Sequence, residues 1–102
     1  MQQSATTLEQ RLFQGDQARL VLENEAFGAA FDAIEAEVTE QWKNSPARDA
    51  DGRERLWSYL MMLRKVKAQL TTTLETGKLA QMELQHQQSL RDKARGWLSR
   101  VA

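Results

Sequence analysis

Trp42-Lys43-Asn44-Ser45-Pro46-Ala47-Arg48-Asp49-Ala50-Asp51-Gly52 is the stretch on which the fold turns. A proline pushes the residue before it out of the α region, so a helix arriving from the N-terminal side must stop near Asn44. Asp49 and Asp51 then offer a carboxylate to cap a new helix, and acids are favoured at that end of the helix dipole. The break is about seven residues long, a normal connection between antiparallel helices. The stretch therefore reads as the turn between two long helices.

Upstream of it, Leu20, Phe27, Phe31, Ile34, Val38 and Trp42 recur at helical spacing and exclude a strand. The one gap in that series is filled by Asn24, a residue that caps helices or marks register in coiled coils. A cap or kink at Asn24 divides the region into a short helix near 17–23, started by Asp16, and a long one near 25–43. Gly28 and the alanines at 26, 29, 30, 33 and 36 leave room for a neighbouring helix. Before Gly15, Leu8, Leu12 and Phe13 suit one short amphipathic turn capped by Thr6 or Thr7.

Downstream, Leu56, Leu60, Leu63, Leu70 and Leu74 share one heptad frame, interrupted by Lys67. Tyr59, Met62 and Val66 flank this frame, and Trp57 and Met61 widen its other side. So broad an apolar arc exceeds what one partner helix covers. We therefore expect self-association through Phe27, Phe31, Ile34, Val38, Leu56, Tyr59, Leu60, Met62, Leu63, Val66, Leu70 and Leu74. Trp42 and Trp57 are expected to pack across the mouth of the turn. Thr71 to Thr76 is a weak helical stretch, so Gly77 is expected to kink or end the helix.

Charge divides at the same place. Residues 1–51 hold ten acids and four bases, and residues 52–102 hold four acids and ten bases, so the chain is neutral with oppositely charged halves. Arg53, Arg55, Arg64, Lys65, Lys67 and Lys78 can face Glu35, Glu37 and Glu40, each exposed pair contributing about 0.2–1 kcal/mol. The last dozen residues keep a basic excess that this pairing leaves over. Leu90, Ala94, Trp97, Leu98 and Val101 form a small apolar face there, beside Arg91, Lys93, Arg95 and Arg100. Such a segment suits a partner's groove or an anionic surface. Gly96 lowers its helicity, so it is expected to be mobile until bound.

Catalytic chemistry has little to work with. There are no cysteines, and His86 has no second histidine to join it as a metal ligand. Pairs such as Glu35/Glu37 are two residues apart and do not face each other on a helix. Phosphate loops, nucleophile elbows and dinucleotide fingerprints are lacking. We expect no catalytic residue, no metal and no cofactor. The polar start, Met1 to Leu12, and the lack of a run of about 18 apolar residues lead us to expect no membrane association.

Several segments carry a family likeness: Asn24-Glu25-Ala26-Phe27, the stretch from Trp42 to Asp49, Gly52-Arg53-Glu54-Arg55-Leu56-Trp57, and Glu75-Thr76-Gly77-Lys78-Leu79-Ala80. Together they resemble small helical-hairpin proteins of tailed phages and gene transfer agents, some of them akin to reduced small terminase subunits. The resemblance implies a ring of subunits that delivers viral DNA to a large terminase motor without catalysing anything, in the host cytoplasm. It departs from that pattern at the N-terminus, where the segment before the hairpin is too short for a helix-turn-helix. Weak backbone binding of DNA, or motor binding alone, is then what the resemblance leaves.

The expected fold is all-α: an antiparallel two-helix hairpin with a short N-terminal helix and a C-terminal basic helix or tail, oligomerising. The expected organisation is an arm at 1–15, an oligomerisation core at 16–80 and a basic tail at 81–102. The leading functional expectation is a non-enzymatic DNA-packaging subunit. The alternatives are a structural virion adaptor or scaffold-like protein, and a small host-directed inhibitor.

Overall fold

The computed structural model describes residues 4–101, so the first three residues of the expected arm and the last residue of the expected tail lie outside it. The described chain is all-helical: α1 Ala5–Glu23, α2 Glu25–Asn44 and α3 Ala50–Val101, with no strand among the described residues.

Each boundary follows from a few side chains. Ser4 starts α1: its Oγ accepts the Thr7 amide at 3.2 Å and its carbonyl accepts the Leu8 amide at 3.0 Å. The cap is thus Ser4, not Thr6 or Thr7. Gly15 and Asp16 lie inside α1, which is one helix of 19 residues instead of a turn followed by a second start. Asn24 separates α1 from α2 as the sequence suggested. Its extended backbone (φ −69°, ψ 120°) breaks the helix, and its Oδ1 accepts the Phe27 amide at 2.9 Å.

Ser45 closes α2 in an extended conformation, φ −72° and ψ 141°, which the following Pro46 requires. Its hydroxyl donates to the Trp42 carbonyl at 2.6 Å. Asp49 opens α3 by accepting the Gly52 amide at 3.1 Å. Gly77 neither ends nor kinks α3 into a new element, since no glycine adopts positive φ and the helix runs 52 residues to Val101. The expected mobile tail is likewise helical.

By contact, the chain falls into two compact units. One joins the residues up to Ala18 with those from Thr73 onward, and the other is Arg19–Thr72. The expected division into arm, core and tail followed composition. The first observed unit instead combines two segments far apart in sequence, and the second is one continuous segment that cuts across the expected core.

In the first unit, α1 and the C-terminal half of α3 meet backbone to backbone. A Cβ placed on Gly15 would lie 2.8 Å from the Gly77 Cα, and one on Gly77 would lie 3.0 Å from the Arg11 carbonyl oxygen. Both glycines are buried, as are Leu8, Ala18 and Ala80. Helix axes come this close only where side chains are absent, which explains why Gly77 sits within a helix it weakens locally.

In the second unit, side chains make the contact. Arg53 donates to the Trp42 carbonyl (3.2 Å), the Ser45 carbonyl (3.2 Å) and the Ser45 hydroxyl (3.0 Å). Its guanidinium also covers the Trp42 ring at 4.1 Å. Farther along, Arg64 meets Glu35 at 3.4 Å and Lys67 lies 5.5 Å from the Phe31 ring centre. Phe31 is the buried apolar side chain of this unit, and Phe27 packs against it at 5.7 Å between ring centres.

Candidate interaction surfaces

Helical spacing sorts the expected interface residues into two groups. Phe31 is buried, and Phe27, Val38, Leu56, Leu60, Leu63, Leu70 and Leu74 are half-buried. These side chains already have neighbours within the chain. Ile34, Tyr59, Met62 and Val66 are exposed, Met62 by 62%. The leucine frame is thus partly covered within one chain, and the flanking stripe is exposed.

The second unit has a concave side as well. Val38, Thr39 and Trp42 from α2 and Leu56, Trp57 and Leu60 from α3, together with Arg64, line a groove of about 270 Å³. Trp42 and Trp57 share this groove, and the group lying over the Trp42 ring is the Arg53 guanidinium. On a helix of 3.6 residues per turn, Tyr59, Met62 and Val66 fall on the flank of α3 opposite Trp57 and Arg64. Ile34 falls on the flank of α2 opposite Thr39. The unit thus carries an apolar ridge on one side and an apolar groove on the other. The composition of the ridge was legible in sequence; the groove was not, because it needs two helices to form.

The basic C-terminal residues are distributed around α3. Arg91 and Arg95 line a cavity of about 460 Å³ with Ala5, Glu9 and Leu12 of α1. Glu9 joins Asp92 as a carboxylate there, so α1 supplies a counter-charge that is far away in sequence. Lys93 and Arg100 lie along another face, in a shallow depression that includes Gly96. Between these two basic edges runs an exposed apolar stripe that includes Leu90, Trp97 and Val101. It extends N-terminally to Leu79 and Met82, which the sequence reading overlooked. Its frame is offset from that of Leu56, Leu60, Leu63, Leu70 and Leu74.

The described residues hold no group of three His, Cys, Asp or Glu side chains placed to bind a metal ion, and none of their buried side-chain nitrogens or oxygens lacks a hydrogen-bond partner. His86 is exposed on α3. No described helix is long and apolar enough to cross a membrane. No protein-family model matches the chain, and comparison with curated proteins and with solved structures gives no match.

Proposed function

We propose that this chain is a non-enzymatic assembly subunit, a homo-oligomer that works by presenting surfaces to itself and to a partner. The observation that carries this reading is the uncovered apolar surface of the second unit. Ile34, Trp42, Trp57, Tyr59, Met62 and Val66 are all 42–62% exposed. At that exposure they leave roughly 600 Å² of apolar surface in water, divided between two faces, each a patch of the size that often marks an interaction site. A unit with one buried phenylalanine is too small to be stabilised by its own core, and association is a common remedy.

In this reading α2 and the first half of α3 form an antiparallel hairpin. Its support is the order of the contacts: Arg53 with Trp42, Arg64 with Glu35, Lys67 with Phe31. Residue numbers fall on one helix as they rise on the other. The C-terminal half of α3, with Arg91, Lys93, Arg95, Trp97 and Arg100, is the surface offered outward. Given the sequence resemblance, the role we assign is a packaging subunit that bridges viral DNA and a large terminase or another phage protein.

Light scattering of the wild-type chain and of Met62→Glu tests the assembly. The expected result is a multiple of the 11.7 kDa chain mass that falls in the variant while helicity by circular dichroism is retained. A wild-type monomer at all concentrations would sink the reading. For the DNA role, affinity for duplex DNA should fall steeply with added salt, because phosphate contacts release counterions. Lack of binding at low salt would leave the motor as the bridge's only partner.

A further inference from the structure

The ridge and the groove of the second unit differ in shape and lie on opposite sides, and this sets how copies can join. We propose that the ridge of one copy, centred on Met62 with Tyr59 and Val66, docks in the Trp42–Trp57 groove of the next copy. The proposal rests on the assembly reading and specifies its interface.

Area is the first argument. Ridge and groove together expose roughly 600 Å² of apolar surface, and interfaces are about 60% apolar, so joining them accounts for an interface near 1,000 Å². That is the lower bound for a specific contact. A ridge-to-ridge pair would cover one face and leave both tryptophans in water, so the second face would need a separate interface. Ridge-to-groove contact covers both faces with one interface.

Charge is the second. Arg55 stands one helical turn from Tyr59 beside the ridge, and Glu54 stands three residues from Trp57 beside the groove. Arg64, the cation among the groove residues, is already paired with Glu35. The approaching Arg55 side therefore meets an acid with the groove's own cation neutralised. A contact between two different surfaces is heterologous; repeated, it closes into a ring or grows into a filament, whereas a self-complementary contact stops at two.

The absence of cysteine makes the arrangement directly testable. Met62→Cys places a thiol on the ridge and Thr39→Cys places one in the groove. The two variants, mixed and treated with a short bis-maleimide, should give a covalent dimer in many-fold higher yield than either variant alone. Ala36→Cys replaces Thr39→Cys if the latter loses helicity by circular dichroism. A dimer formed equally well by Met62→Cys alone would overturn the proposal in favour of ridge-to-ridge pairing. So would a mixture that fails to cross-link while the wild-type chain still assembles by light scattering. In both cases the assembly reading survives. A wild-type chain that is monomeric throughout overturns the two together.

Discussion

The two units join helices by opposite means. Around Gly15 and Gly77, the backbones of α1 and α3 touch because neither residue has a side chain. Around Phe31 and Arg53, α2 and α3 are held by a buried ring and a guanidinium that reaches across the turn. The first contact depends on what is missing and tolerates no addition. The second depends on what is present and tolerates no removal. Substitutions of opposite size should therefore damage the two units, and each should do so locally.

The largest effect is expected from Phe31→Ala. Phe31 is 6% exposed and is the second unit's buried apolar anchor. Removing a buried phenylalanine costs about 3 kcal/mol or more, through lost transfer energy and the cavity left behind. Amide hydrogen exchange should show protection falling across Glu25–Asn44, with the Gly15–Gly77 crossing less affected. Equal loss in both units would mean that they unfold as one, and the contrast would fail.

Next comes Gly77→Ala, with Gly15→Ala as its counterpart. The new methyl would meet backbone atoms, which cannot rotate aside. Overpacking costs about 1–3 kcal/mol, and the better helix propensity of alanine returns up to about 1 kcal/mol. A net loss of about 1–2 kcal/mol is expected, read as reduced exchange protection in α1 before Ala18. Protection in α2 should be unchanged.

How much of this was legible beforehand depends on the range over which each residue acts. Asn24, Pro46 and Asp49 act on amides within four residues, so the boundaries they set follow from the sequence. Gly77 was legible as a weak point in a helix, but its use is decided by Gly15, 62 positions away. Periodicity along one helix cannot reveal which helix lies across it. The charge division was legible too, and it suggested rows of ion pairs between α2 and α3. Among the described residues the ion pair that links them is Arg64–Glu35, while Arg53 and Lys67 lie over aromatic rings. Opposite net charge biases two helices to pair without naming the contacts. The expected interface residues were apolar positions of two kinds, and sequence spacing alone did not tell the packed leucine frame from the exposed ridge.

Arg53→Ala should have a smaller effect, about 1–2 kcal/mol, since hydrogen bonds from a charged group contribute about that much each but do not add fully. The Trp42 and Ser45 carbonyls near the end of α2 would lose their guanidinium donor. Arg53→Lys should recover only part of the loss, because an ammonium can replace the one nitrogen, Nη1, that bonds both carbonyls, but not the flat guanidinium face that lies on the Trp42 ring. Tryptophan fluorescence offers a direct readout, since removing the guanidinium changes the surroundings of Trp42. Full recovery in the lysine variant would show that a charged donor alone, without the flat guanidinium face on Trp42, holds the turn.

The smallest effects belong to two further helical glycines, Gly28 and Gly96, and their sign is the sharpest check on the comparison. A Cβ on Gly28 or on Gly96 would meet nothing within 4 Å. Both lie inside helices, Gly28 in α2 and Gly96 in α3. Here alanine adds helix propensity with no clash, so Gly28→Ala and Gly96→Ala should each stabilise by about 0.5–1 kcal/mol. The same substitution at four glycines is thus expected to destabilise at 15 and 77 and to stabilise at 28 and 96, in urea unfolding followed by circular dichroism. Stabilisation at all four positions would mean that the α1–α3 crossing can open to admit a methyl, and that backbone contact is not what joins that unit. Destabilisation at Gly28 in the assembled protein, but not at concentrations where the chain is monomeric, would place a neighbouring copy against α2 there. The glycine whose surroundings are empty within one chain would then report on contacts between chains.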